Sequence, residues 1–255
     1  MKIIIVLMLT FLFCGAVFGQ SSALSLETAL TLPKGRFDFG LLNPLVVSVS
    51  DRVDLFTHPL LDVLLPNIGV KVNWLHYKDI YFSTRHRLSY ATLLLNTISN
   101  PGTGGVLPAD NTIPQIFTLD TQALGTYATQ RHIISVIIGG KVAAKFPNVV
   151  FDTIDFPLLF SSTASYHAPI VFQATAGYRL LATKKIAFLF DGGAYLMPQP
   201  LGAIEVRQST QVLFSFSRFF SMTAGYLATY GQYPYGSDWK IFPLLDMVFS
   251  LGGAL

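Results

Sequence analysis

Thirteen charged side chains set the chemistry open to this sequence: Arg36, Asp38, Lys71, Arg85, Arg87, Arg131, Lys141, Arg179, Asp191, Glu205, Arg207, Lys240 and Asp246. They tend to alternate with apolar residues, as in RFDFG (Arg36–Gly40) and VKVNW (Val70–Trp74). In an extended chain successive side chains point to opposite faces, so this spacing gathers the charges on one face. Lys145 and Lys185 bring the basic residues of that face to eleven, and Glu27, Asp54 and Asp120 bring the acidic ones to seven. If the face lines an enclosed interior, its cation excess points to an anion-attracting pore or ligand pocket, because a low-dielectric wall focuses the field. The structural alternative is that these charges pair across strands and fill a narrow lumen. Taken alone, the charge pattern favours the paired, plugged interior.

Other chemistries are weaker in the sequence. Ser165, Tyr166 and His167 put a serine and a histidine two positions apart, as a lipid-modifying hydrolase or acyltransferase would need. No Asp or Asn stands beside them to orient the imidazole, so isolated loop residues are the expectation, and no catalytic residue is assigned. His86 and Ser89 are three apart and fall on opposite faces of a strand. The histidines at 58, 76, 86, 132 and 167 lack zinc-ligand spacing, which predicts no metal site. GTGG within Asn100–Leu107 lacks the Lys-Ser/Thr and the helix of a phosphate loop, and GGKVAAK (Gly139–Lys145) alternates as strand. No cofactor is expected. A formal charge of +3 without a basic run gives no case for nucleic acid.

The elements that must position the charges follow from composition. The chain is 51% hydrophobic and 12% charged, with mean hydropathy +0.50. Soluble domains carry roughly 25% charged residues. Yet no stretch after residue 20 offers the ~20 consecutive apolar residues of a spanning helix; the nearest, Ile241–Leu255, is interrupted by Pro243 and Asp246. Apolarity diluted by alternation is the signature of a transmembrane β-barrel. A soluble β-sandwich would need a far more charged exposed face than the Ser, Thr, Gly and Gln found here.

Period-2 patterning predicts an all-β, antiparallel up-and-down barrel of about twelve strands: 25–32, 36–49, 52–59, 67–76, 79–91, 115–127, 130–145, 167–181, 185–196, 204–217, 219–231 and 239–251. The connections SDR, YKD, ATQ, ATK and Ser217–Arg218 are short, and those between are mostly longer, as periplasmic turns and external loops are. Both termini are therefore expected in the periplasm. Trp74, Phe82, Tyr127, Tyr178, Phe216 and Phe220 cluster by the short turns, as an interfacial girdle would. Three features fit badly. Pro44, Pro169 and Pro243 fall inside proposed strands, where a closed barrel cannot spare an N–H. The PKG connection is short although it should be external. LLDVLLP (Leu60–Pro66) is too apolar for a free external loop, and suggests a packed loop or a gated route for a hydrophobic compound. A ten-stranded barrel with residues 25–59 organised differently is the alternative.

The first 19 residues, MKIIIVLMLTFLFCGAVFG, read as a signal peptide: one Lys, an apolar stretch, then small residues. Residues 20–255 form the barrel domain. Cys14 raises a lipoprotein signal as a rival, but Phe13 before it is large for that peptidase. Cleavage would remove the single cysteine and leave no intramolecular disulfide.

ETALTLPKGRFDFG, VSVSDRVDLFTHPLL and LLPNIGVKV together resemble an uncharacterised family of bacterial outer-membrane β-barrels, similar to transporter-like barrels annotated near aromatic-degradation pathways. The resemblance spans about residues 27–90 and implies compartment and fold, with no catalytic residues to transfer. Such barrels commonly end on a terminal aromatic; this chain ends LGGAL, with Phe249 six residues inside. The combined expectation is a porin-like protein of the outer membrane of a Gram-negative-type bacterium. Its partners would be outer-membrane lipid and the export and barrel-assembly machinery. Its role would be passive or facilitated transport of a small solute, anionic or hydrophobic, with a plugged structural barrel as runner-up.

Overall fold

The computed structural model describes residues 26–41, 43–58, 62, 65–99, 112–148, 160–198, 200–233 and 236–252. The expected signal peptide, most of LLDVLLP and the GTGG segment lie outside the described residues.

Twelve strands close into one barrel: β1 (Arg36–Gly40), β2 (Leu45–Ser50), β3 (Val53–Thr57), β4 (Asn67–Tyr77), β5 (Ile80–Tyr90), β6 (Gln115–Ala128), β7 (His132–Phe146), β8 (Val171–Leu181), β9 (Ile186–Met197), β10 (Ala203–Ser215), β11 (Phe220–Tyr233) and β12 (Gly236–Gly252). Each pairs antiparallel with its sequence neighbours, and β1 closes the wall against β12 with Arg36 opposite Gly252. A helix, α1 (Thr92–Ser99), follows β5, and a short helical turn (Phe160–Tyr166) precedes β8.

Alternation decides the sidedness. Along β6, Ile116, Thr118, Asp120, Gln122, Leu124 and Thr126 are buried, while Phe117, Leu119 and Tyr127 are exposed. The exposed face continues with Ile134, Val136 and Ile138 of β7 and with Val206 and Phe214 of β10. So broad an apolar exterior suits hydrocarbon and not water, and closure leaves no strand pair without a partner at the seam. At the short-turn end, Phe216 stacks on Phe220, and Phe249 lies against both Phe220 and Phe39. This is a transmembrane barrel. Its strands are strongly staggered: Phe37 pairs with Leu251 directly, yet its ladder followed through the other strands returns to β12 near Ser237. That stagger tilts the strands by roughly 40°.

The expected strand count holds, though its membership changes. Residues 26–32 form no strand, and the proposed strand 36–49 is two, β1 and β2, split around Asn43 and Pro44. PKG therefore sits at the short-turn end, where Gly35 N–H donates to Ser48 O. Both ends of the wall, Arg36 and Gly252, lie there too.

The prolines find places that need no N–H. Pro44 lies in the β1–β2 connection and Pro169 precedes β8. Pro243 is inside β12, opposite Tyr226 of β11. Leu41 N–H donates to Met247 O, so odd residues of β12 direct their backbone groups toward β1. β1 pairs no higher than Val248, and the missing N–H of Pro243 thus falls on an edge that no strand among the described residues pairs. The wall is low in this sector. β1, β2 and β3 are five, six and five residues long, whereas β4 to β12 run from 11 to 17.

Candidate functional site

The barrel interior is built from wall side chains and two inserted segments. The first insert is Leu26–Leu32, whose Thr28, Ala29, Leu30 and Leu32 are almost inaccessible. An irregular backbone at this depth must find hydrogen-bond partners in the protein. Thr126 Oγ1 accepts from Ala29 N–H at 2.7 Å, and Ser83 Oγ and Asn73 Nδ2 donate to Ala29 O at 2.6 and 3.0 Å. Lys71 Nζ donates to Leu30 O, Arg85 to Leu26 O, and Ser48 Oγ to Leu32 O. The carboxylate of Asp54 accepts from Leu32 N–H while pairing with Lys71 at 3.2 Å. Side chains from β2 to β6 thus hold one peptide segment across the lumen.

Ion pairing consumes most of the remaining charge. Arg36 meets Asp38 at 2.8 Å on the same strand face, and Arg207 pairs with Glu205 in the same i, i+2 arrangement. Arg87 and Asp120 face each other in the β5–β6 register and lie 3.2 Å apart. Arg179, 1% exposed, reaches Asp191 across β8–β9 at 2.7 Å. That pair packs flat against Gly177, where a Cβ would overlap both groups. Asp246 accepts from the backbone and side-chain nitrogens of Asn43, tying β12 to the β1–β2 connection. Lys141 has no ion pair among the described residues. Its ammonium donates to Ser162 O and stands 5.7 Å from the Tyr166 ring centroid.

The second insert is Phe160–Tyr166. Phe160 and Ala164 pack with Val171, Met197, Ala203 and Tyr233 under the rim of β8 to β11, and Tyr166 packs with Ala91, Leu95 of α1 and Ile116. Burial pushes the Tyr166 phenol up to about 12. Between the inserts lies a cavity of about 290 Å³. Leu26 and Glu27 line it from one insert, Ser161 and Ser162 from the other, and Arg85, Arg87, Asp120, Gln122, Lys141, Gln173 and Tyr195 from the wall. Asn43, Pro44 and Phe56 line it on the low side of the barrel. Burial works against the charge of Glu27, but the guanidiniums of Arg85, Arg179 and Arg87 outweigh it and hold the carboxyl below its ordinary value.

The charged residues expected at the interior divide into three groups. Arg85, Arg87 and Lys141 come together at the cavity. Arg36, Asp38, Lys71, Arg179, Asp191, Glu205, Arg207 and Asp246 face inward but are spent on pairing and on holding the inserts. Lys240 pairs with Asp238 on the upper part of β12, with both side chains about half exposed. Arg131 is a correction: it stands exposed in the β6–β7 turn, because β7 begins at His132 and the turn residue lies outside the alternation. Lys185 likewise falls in the β8–β9 turn. Ser165 and His167 lie on a tight helical turn and not along a strand, and the buried Ser165 Oγ has no hydrogen-bond partner among the described residues. No serine–histidine hydrogen bond forms there.

The role of Leu26–Leu32 is what the sequence reading missed. Length gave no warning: at eight residues the proposed strand 25–32 is as long as 52–59, which does hold a wall strand, β3.

No protein-family model matches the chain, and no curated protein does. Among solved structures it is similar to OmpT of Vibrio cholerae (8% identity, TM-score 0.46, covering 93% of this chain and 71% of that one). It is also similar to OprD of Pseudomonas aeruginosa (10%, 0.43, 88% and 62%) and OprB of Pseudomonas putida (9%, 0.40, 82% and 58%). At such identities and scores the likeness concerns the barrel alone and carries nothing about ligand or activity.

Proposed function

We propose that the chain is an outer-membrane barrel of a Gram-negative-type bacterium that passes a small solute selectively, by way of an internal binding chamber and not an open pore. The observation that carries the reading is the cavity of about 290 Å³ held between Leu26–Glu27 and Ser161–Ser162, with Arg85, Arg87 and Lys141 on its wall. Three cations against Glu27 and Asp120 give it a modest preference for anions. Outer-membrane lipid is the surrounding partner, the export and barrel-assembly machinery delivers the chain, and the short turns and both wall ends face the periplasm. No catalytic step and no cofactor enter this reading.

The test is flux through the reconstituted mature chain: planar-bilayer conductance in a salt gradient, alongside liposome uptake of small anionic, neutral and cationic solutes. Low bulk conductance with faster uptake of anions supports it. A purely structural barrel is the second reading, favoured by the buried Lys71–Asp54 and Arg179–Asp191 pairs. It predicts a folded, heat-modifiable protein that passes nothing.

A further inference from the structure

The end of the wall that carries the short turns is ringed with cations. The five short turns and the PKG segment before β1 hold Lys34, Arg52, Lys78, Arg131, Lys184 and Arg218, all six exposed, with Lys185 beside them. Only Asp51 and Asp79 share these segments. Asp51 Oδ1 accepts from the backbone N–H of Lys34 at 3.4 Å. None of the six cationic side chains enters an ion pair among the described residues. The connections between the other strand ends differ in sequence: they contain no Lys or Arg, and their acids are Asp62, Asp110, Asp152 and Asp155. Seven cations against two acids in one set, and none against four in the other, is an asymmetry that the period-2 rule of the strands does not require.

These cations are fixed to the wall. Asn73 N–H donates to Arg52 O, Ala128 N–H to Asp79 O, Leu181 N–H to Arg131 O and Ser215 N–H to Lys185 O, all at 2.8 Å. Ser250 N–H donates to Phe219 O at 2.9 Å, so every short turn is laced to the next strand. Next to them on the outer face is an aromatic belt: Trp74 and Tyr77 are each 61% exposed, and Tyr127, Phe216 and Phe219 are exposed as well. Lys78 Nζ stands 5.4 Å from the Tyr77 ring centroid, and the Arg218 guanidinium 4.5 Å from that of Phe219. Trp74 donates its Nε1–H to Thr84 Oγ1 at 2.8 Å, which holds the indole between the turns of Arg52 and Lys78. Aromatics of this kind sit at headgroup level, and a cation just beyond them stands at phosphate depth.

Resting on the reading that the short turns face the periplasm, we propose that this rim is a collar for anionic phospholipid of the periplasmic leaflet. Lipid phosphates lie on the exposed Lys and Arg side chains, and acyl chains lie against the aromatic belt. A cation without an ion pair gains from an anionic surface and gives up no partner, and it acts within a screening length of the headgroups. Cations fixed around a closed wall act together, so the collar prefers a charged headgroup to a zwitterionic one without a deep pocket. An acidic soluble partner would meet the cations but leave Trp74 and Tyr77 uncovered, and lipid covers both.

The test uses residues 20–255 carrying Trp239→Phe, which leaves Trp74 as the single tryptophan. The chain is placed in phosphatidylcholine bilayers with rising fractions of either phosphatidylglycerol or phosphatidylcholine brominated on the acyl chains, since bromine quenches a tryptophan that it touches. The expected result is a preference of roughly fivefold for the brominated phosphatidylglycerol, and Arg52→Gln combined with Lys78→Gln drops it to about twofold or less. The preference should vanish at about 1 M salt, where the screening length is about 3 Å. Equal quenching by the two lipids, or a preference indifferent to both salt and the double variant, overturns the collar. Salt-sensitive binding of polyphosphate in that case assigns the rim to a soluble polyanion. Orientation is read separately. Residues 20–255 contain no cysteine, so Ala182→Cys gives a unique thiol in the β8–β9 turn. An impermeant maleimide should reach it only after the outer membrane is permeabilised. Labelling of intact cells overturns the periplasmic reading, and the leaflet with it, whatever the quenching shows; equal quenching with a protected thiol overturns the collar alone. Heat-modifiability of each variant on gels confirms that it remains folded.

Discussion

The guanidinium of Arg85 lies 3.3 Å from the carboxylate of Glu27 and also donates to the carbonyl of Leu26, so a wall cation grips both side chain and backbone of the segment that crosses the lumen. The obstruction is therefore a built feature of the wall, and loosening it should change permeability before it changes the fold. Arg85→Ala removes these contacts and the bonds to Gln122. We expect larger and more frequent bilayer current steps, with a loss of about 1–3 kcal/mol in denaturant unfolding.

Glu27 gives that grip a pH dependence. Its carboxyl is held below the ordinary value of 4.5, so its contribution is fully present above about that pH and is lost as pH falls through the depressed folded-state value. Current steps should therefore grow on acidification below pH ~4.5 and stay level from there to neutrality. Glu27→Gln should show the enlarged steps at all pH values, which a pH series of bilayer recordings would read directly.

The Arg179–Asp191 pair tests how the interior tolerates charge. Arg179→Met leaves Asp191 without its cation in a buried site and should cost about 3–5 kcal/mol. Joining it to Asp191→Leu should recover much of that loss, because two apolar groups need no partner. Gly177→Ala, whose Cβ would overlap both groups, should destabilise by about 2–4 kcal/mol. Urea midpoints followed by heat-modifiability rank the four proteins.

Pro243 is expected to keep the β12 edge above Val248, which no strand among the described residues pairs, from adding a strand. Pro243→Val restores an N–H on the side facing the low wall and should promote strand pairing between chains. Light scattering of the refolded variant should show larger species than the parent protein gives under the same conditions.

Much of this architecture is legible in the sequence because a barrel imposes period-2 alternation on β4 to β12, with an outer face dominated by apolar residues and an inner face carrying the charges. The rule fails where its premise fails. Leu26, Leu30 and Leu32 are buried inside the lumen, and apolar residues in a plug alternate enough to imitate a wall strand. The same ambiguity joined β1 and β2 into one strand, although Pro44 marked the break. The two errors cancel in the count of twelve. Arg131 was misplaced because parity has no meaning in a turn. Beyond the i, i+2 pairs Arg36–Asp38 and Glu205–Arg207, which charges meet is not in the sequence pattern: Arg87 and Asp120 are joined by register, and Lys141 is set apart by the segment carrying Ser162.

If Leu26–Leu32 closes the lumen axially, as proposed, the barrel holds a chamber in place of a pore. Planar-bilayer recording of residues 20–255 beside the same chain carrying Asn73→Ala/Arg85→Ala checks this, since these two side chains hold the carbonyls of Ala29 and Leu26. A nearly silent parent and stable unitary steps in the variant are expected, with both proteins equally heat-modifiable. Large steady steps in the parent, unchanged in the variant, would contradict it.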